Sequence, residues 1–290
     1  MMDDQIEREG QSPQETPLET FARFALGAFA VARVIHQKLE IIAEMVVPYL
    51  EKTAPPLLMA LAQIDWAAAK QKLDELPKKS KDAMRLALAE GWFFGWHDEV
   101  QSLMKLVESL ATTPFATVDD VMVAYYRTNL QPFANQIISE YPNRAAAIKA
   151  AVDAHTSIPD DGYLLSIPVF IAQADGLLAE ITGVESPMTH AANVFRDKYA
   201  ADPEILDLLY PFLELKDSSF MMSAKAREDA AQASGKSFTA LNRHQVMHGE
   251  RSDYGTEINS LKAFSFLVFA GLHIPAVLTR DAASGSGSNP

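Results

Sequence analysis

One short stretch of the chain gathers most of the groups capable of chemistry. Leu241-Asn242-Arg243-His244-Gln245-Val246-Met247-His248-Gly249 carries an arginine, two histidines and an asparagine between the apolar anchors Phe238, Leu241 and Val246. Polar groups so close to apolar ones cost free energy unless they are paired or used. Three readings of the stretch compete, and the first is RNA cleavage. Attack of a ribose 2′-hydroxyl on the neighbouring phosphorus needs a group to take the proton, a group to protonate the departing 5′-oxygen, and a cation for the phosphate charge. Histidine titrates in the range where it serves as base or acid. Arginine stays charged and grips phosphate oxygens through two N–H groups. No metal is required.

The second reading is a metal site. His244 and His248 are four residues apart, so they share one helix face as paired metal ligands do. The zinc-protease pattern needs a glutamate directly after the first histidine, and Gln245 stands there; Glu250 or Asp253 would have to supply a third ligand. The third reading is structural. Arg243 pairs with an acid, and the histidines sit at a helix C-terminus, where positive charge is favoured.

Composition narrows the setting. The 290 residues are 48% apolar, enough for a sizeable core in one large domain or two smaller ones. Cysteine is absent, which excludes a disulfide scaffold, thiol catalysis and thiolate metal sites, and suits a reducing cytosol. The net charge of −13 would repel RNA at long range. Contact with RNA must therefore be local, in a cleft lined by a few basic side chains. No export signal is read in the acidic stretch 1–17. The apolar run Ala263 to Leu278 is short for a bilayer and is interrupted by Ser265, His273 and Pro275. A soluble cytoplasmic protein with no membrane span is expected.

The elements that position the stretch are helices. Apolar residues recur at helical spacing along nearly the whole chain, and no run of alternating residues suggests a strand. The expected fold is all-α: a disordered 1–17, a helical region 18–140 that regulates or recruits a protein partner, a helical domain 141–280, and a disordered tail 281–290. A long first helix carries Phe21, Phe24, Ile35, Leu39 and Val46. Further helices are predicted at about 56–74, 78–95, 97–111, 117–129 and 131–140. Beyond residue 141 come a short helix to His155, a turn at Pro159-Asp160-Asp161-Gly162, and an apolar helix from Tyr163 to near Gly183. Helices follow after Pro203 and over about 219–233. Phe238 to His248 is predicted as a short helix ended by Gly249, and Thr256 as the cap of a last helix over 257–273. That helix is apolar nearly all round past Lys262, so it is either central or packed against another chain.

With those elements in view, the stretch resembles a known family. Arg243-His244-Gln245-Val246-Met247-His248 fits the motif of the HEPN superfamily: arginine, a polar residue, and a histidine after four to six intervening positions. Asn242-Arg243-His244, His248-Gly249, Tyr254-Gly255-Thr256, Asn259 and Leu261-Lys262 are similar to a bacterial HEPN-like group associated with abortive infection. So are Leu165-Ser166-Ile167-Pro168 and Gln173-Ala174-Asp175-Gly176. The resemblance covers about 141–275. It implies a helical bundle that dimerises with two motifs at one cleft. It also implies metal-independent endoribonuclease activity without a cofactor, in phage defence or as a toxin. On that basis Arg243 and His248 form the catalytic pair. His248 takes the 2′-hydroxyl proton and Arg243 stabilises the transition state, while His244 donates to the leaving group or holds the geometry. Asn242 supports. The tyrosine that a partner modifies in some such toxins is replaced by Glu250. The rival is a non-catalytic helical interaction protein with the same bundle.

Other polar positions are weighed against plainer roles. Gln173 and Asp175 either orient Arg243 or a histidine, or face water. Tyr254, Thr256 and Asn259 are expected to shape the loop and cap the helix. Trp92, Phe93, Phe94 and Trp96 are expected in a core rather than under stacked bases. Lys78, Lys79 and Lys81 read as a solvated helix start. His36, His97, His155, His190 and His273 read as structural or exposed. A homodimer is expected through the last helix, where Phe264, Phe266, Leu267 and Phe269 lie on several faces.

Overall fold

A computed structural model describes residues 66–112, 117–158 and 160–285 of the chain. The expectations for 1–17, for the first helix, and for most of the helix at 56–74 fall outside these residues. Every element described is helical, and no strand occurs among the described residues. The fold is all-α.

Three helices precede residue 141: α1 (Trp66–Ala89), α2 (Val100–Thr112) and α3 (Val118–Glu140). Pro77 and Pro132 do not end helices as predicted; α1 and α3 run through them. An interior proline removes one backbone hydrogen bond and costs ~3 kcal/mol. In α3 that cost is offset on both sides of the ring, by Met122, Tyr126 and Leu130 before it and by Phe133, Ala134 and Ile137 after it, all buried. Burial of each large apolar side chain contributes ~1.5–3 kcal/mol, so the sum exceeds the single lost bond.

A 3-10 turn, Pro142–Arg144, leads into α4 (Ala145–Ser157) and the apolar α5 (Asp161–Thr182). These two pack closely at their junction. A Cβ on Gly162 would stand 2.0 Å from the Ala154 carbonyl oxygen, so only glycine permits the approach. Next come α6 (Pro187–Lys198), which the apolar pattern did not mark, then α7 (Pro203–Leu208), α8 (Tyr210–Leu213) and α9 (Ala224–Ser234). Phe238 to Leu241 is not helical; the helix α10 is the single turn Arg243–Met247. The last helical run comprises α11 (Glu257–Val268), a π-helical turn (Phe269–His273) and α12 (Ile274–Gly285). The expected disordered tail is therefore helical as far as Gly285.

The last run forms the centre of the fold. Every residue from 260 to 274 is buried, with α3, α5 and the π turn packed around α11. Its apolar faces are filled by its own chain, so they are not available to a second copy; the expected dimer surface on this helix is corrected. Each buried polar side chain of this run has a partner. Lys262 pairs with Asp119 at 3.0 Å and lies over the Trp92 ring. Ser265 donates to the Lys262 carbonyl and accepts from the Phe93 amide. Ser260 meets both His155 Nδ1 and Ser166 Oγ at 2.7 Å. The described residues fall within one compact unit. The described helices before residue 141 thus share a core with those after it.

The aromatic cluster is core, as its sequence context suggests. Trp92, Phe93 and Phe94 are buried, Trp92 stacks on Tyr126, and Trp96 donates to Ser80. Lys78, Lys79 and Lys81 stand in the middle of α1, not at its start, and Lys81 pairs with Asp207 at 2.5 Å. Two stretches, Asp161–Lys198 and Glu257–Thr279, are long and apolar enough to cross a membrane by length and composition. The most apolar part of the second is 83% buried within the fold, whereas that of the first is only 39% buried. An apolar face of α5, with Leu165 and Ala172 exposed and Pro168 and Val169 half-buried about one helical turn apart, is only partly covered by the described residues.

Candidate functional site

Asn242 creates the local geometry of the site. Its backbone is extended, and its side-chain oxygen accepts from the Gln245 amide at 3.2 Å, which caps α10. Its amide nitrogen donates to the Ser219 and Met222 carbonyls at 2.8 and 3.0 Å. An asparagine at this N-cap starts the helix here and not at Phe238, which is why the predicted eleven-residue helix is one turn. The Arg243 amide donates to the Phe220 carbonyl at 2.8 Å, fixing the turn to the loop before α9. At the other end Gly249 adopts φ 67°, a left-handed conformation suited to glycine, and the chain leaves the helix.

The turn brings Arg243, His244 and His248 together. The two imidazoles lie nearly parallel, with interplanar angle 9° and centroids 5.9 Å apart. Arg243 donates from Nη2 to Asp175 Oδ2 at 3.1 Å, and its Nε is buried with no hydrogen-bond partner. His248 is exposed, while Arg243 and His244 are half-buried. Burial holds the His244 imidazole below its ordinary pKa; the Arg243 charge, His248 and Arg227 push the same way, and Glu250 opposes them. At neutral pH His244 is therefore an uncharged ring, able to accept a proton and poorly able to donate one as an acid.

The supporting residues divide. Asp175 on α5 pairs with Arg243. Gln173 does not: it accepts from Arg144 at 3.1 Å, on a guanidinium also held by Glu180. Two residues apart on a helix is about 200° of rotation, so the two side chains leave α5 on opposite sides. Asn242 supports the turn from within and is 1% exposed, so its role is structural. Tyr254, Thr256 and Asn259 behave as expected. Thr256 caps α11, and Asn259 donates to the Tyr254 carbonyl.

The carboxylates that would complete a metal site with His244 and His248 are otherwise engaged. Glu250 accepts from Arg227 at 2.5 Å and Asp253 from Arg251 at 2.7 Å. Among the described residues, no group of three or more histidines and carboxylates could hold a metal ion.

The sequence pattern does not mark Arg227. It is the one buried residue of α9, among Lys225, Glu228, Asp229 and Gln232, and it reaches both Asn242 and Glu250. An arginine on an otherwise solvated helix carries no signal in a single sequence.

The fold and the site define an all-α protein with a cationic, imidazole-bearing turn beside a half-covered apolar helix. Comparison with family models, curated proteins and solved structures finds no match.

Proposed function

We propose that the chain is a metal-independent endoribonuclease of HEPN type, acting in the cytoplasm in phage defence or as a toxin. The observation that carries this reading is the juxtaposition on one turn of a guanidinium fixed by Asp175 and two parallel imidazoles, one exposed and one held uncharged. His248, open to solvent, takes the proton of a 2′-hydroxyl. The freed oxygen attacks the adjacent phosphorus, the bond to the 5′-oxygen breaks, that oxygen takes a proton from water, and the products are a 2′,3′-cyclic phosphate and a 5′-hydroxyl end. Arg243 offers terminal N–H groups not used by Asp175 to the phosphate as charge builds on it. His244 holds the geometry of His248. Its lowered pKa argues against its acting as the protonated acid.

A homodimer is part of this proposal. Since the last helix is covered, the second copy is assigned to the apolar face of α5. Ala172 on that face is three residues from Asp175, the partner of Arg243, so the motif flanks the surface. Two chains would then present their turns side by side.

Arg243→Ala and His248→Ala are each expected to lower RNA cleavage about 10²- to 10⁴-fold with the far-ultraviolet dichroism of the helices retained. Mutants as active as wild type would remove the assignment. Two observations favour a second reading, a non-catalytic interaction protein. The α5 face is only partly covered by the described residues, and Arg243 is already paired in a chain of net charge −13. Under that reading the variants lose partner binding, and no RNA is cut by wild type.

A further inference from the structure

We infer that Arg227 is a positioning residue of the site, a clamp that joins the two ends of the Arg243–His248 turn and sets the spacing of its side chains. The inference rests on the reading of that turn as catalytic. Arg227 Nη1 donates to Asn242 Oδ1 at 2.9 Å and to the Met222 carbonyl at 3.0 Å. Its Nη2 donates to Glu250 Oε2 at 2.5 Å. Asn242 immediately precedes Arg243, and Glu250 follows His248 by two residues, so one planar group holds the chain on both sides of the motif.

The surroundings indicate that this is what α9 supplies. Arg227 is its one buried residue, with 8% of the side chain exposed, and Ser223 caps the helix by accepting from the amide of Ala226. A buried guanidinium is tolerated only when its N–H groups are met, and here they are met by the flanks of the motif and by the Met222 carbonyl. Asn242 is left with its oxygen accepting twice and its nitrogen donating twice, its full capacity. It can hold the start of α10 in one orientation only. The fork is essential to this arrangement, since a lysine ammonium is a point donor and cannot meet Asn242 and Glu250 in the same plane. The charge of Arg227 also contributes to keeping His244 unprotonated.

The test uses the full chain with Arg227→Lys, Arg227→Met and, as the mildest change, Glu250→Gln. Glu250 is 43% exposed at its side chain, so the last variant releases one arm of the clamp from the outside. Two measurements are made: cleavage of a defined RNA oligonucleotide, and titration of the His244 and His248 ring resonances by proton–carbon correlation spectroscopy. Arg227→Lys is expected to lower kcat about 10- to 100-fold with KM little changed, as a misplaced catalytic group does, and to shift both ring resonances. Arg227→Met is expected to raise the His244 titration midpoint, because a neighbouring positive charge is lost. A folded Arg227→Lys with wild-type kcat and unmoved resonances would overturn the inference. The resonances judge the clamp even if wild type cuts no RNA. That result would sink the nuclease reading alone, and unmoved rings would sink the clamp alone.

Discussion

His273, in the π-helical turn of the core, and His248, at the end of α10, are imidazoles under opposite conditions. His273 is 0% exposed, and both ring nitrogens are used. Its Nδ1 accepts from the Trp96 amide and its Nε2 donates to the Leu208 carbonyl, each at 2.8 Å. The ring edge is also met by Gly95, where a Cβ would lie 2.1 Å from His273 Cγ. His248 is exposed and stands beside an arginine whose Nε is buried without a partner. The polar groups of the buried run 260–274 are closed by their neighbours, whereas those of the turn keep capacity for something else. Buried polar atoms left unmet are uncommon, and two of them, Arg243 Nε and Gln245 Oε1, belong to this five-residue helix.

The contrast can be broken by removing each ring. His273→Ala leaves an amide and a carbonyl buried without partners and opens a cavity. About 1–3 kcal/mol per unmet group plus the cavity gives a loss of roughly 3–5 kcal/mol in chemical denaturation. His248→Ala is expected to change stability by less than about 0.5 kcal/mol, as surface substitutions do. Equal losses at the two positions would erase the distinction.

A second, smaller effect concerns His97, a half-buried residue whose two ring nitrogens are buried and unpartnered and whose ring packs edge-on against Phe133. Burial, aided by the nearby His273, pushes its pKa from 6.5 down to about 3. Below pH 6.5 the unfolded chain binds a proton there that the folded chain refuses. Stability from this group is fully present above pH 6.5 and falls as pH drops from 6.5 toward 3. At pH 5 the loss is roughly 2 kcal/mol. His155, also lowered mainly by burial, acts in the same direction. Melting temperature against pH should slope downward below 6.5 in wild type and less steeply in His97→Leu. Parallel curves would contradict the burial of a neutral ring.

The smallest expected effect on stability lies on the α5 face. Leu165 is 56% exposed, so Leu165→Glu should alter melting by less than about 0.5 kcal/mol. It should nevertheless convert a dimer to a monomer in light scattering at micromolar concentration. A wild-type monomer, or a dimer indifferent to Leu165→Glu, would remove the α5 interface from the proposal.

Much of this molecule is legible in its sequence, and the exceptions have physical causes. Helical spacing of apolar residues identifies the all-α class, and Gly183 and Thr256 mark ends that the structure keeps. Proline is a poor guide inside α1 and α3, because burial on both sides of the ring outweighs one lost bond. The Phe238 segment looks helical from its apolar residues, yet Asn242 has a stronger local preference as a cap. The last helix is legible as all-round apolar, but whether its cover comes from its own chain is not, since that depends on contacts far apart in sequence. At the site, the cluster of Arg243, His244 and His248 is visible because it is local. Asp175 lies 68 positions from Arg243, and Gln173 shares its segment but not its face. Arg227 depends on a partner 23 positions downstream, and no local pattern announces it.

The most direct measurement is the end chemistry of RNA incubated with wild-type protein in the presence of EDTA. A metal-independent attack by the 2′-hydroxyl should leave 2′,3′-cyclic phosphate and 5′-hydroxyl termini, and a substrate with a 2′-deoxy sugar at the scissile position should remain intact. Cleavage of the deoxy substrate, or activity abolished by EDTA and restored by zinc or manganese, would contradict the role given to the Arg243–His248 turn.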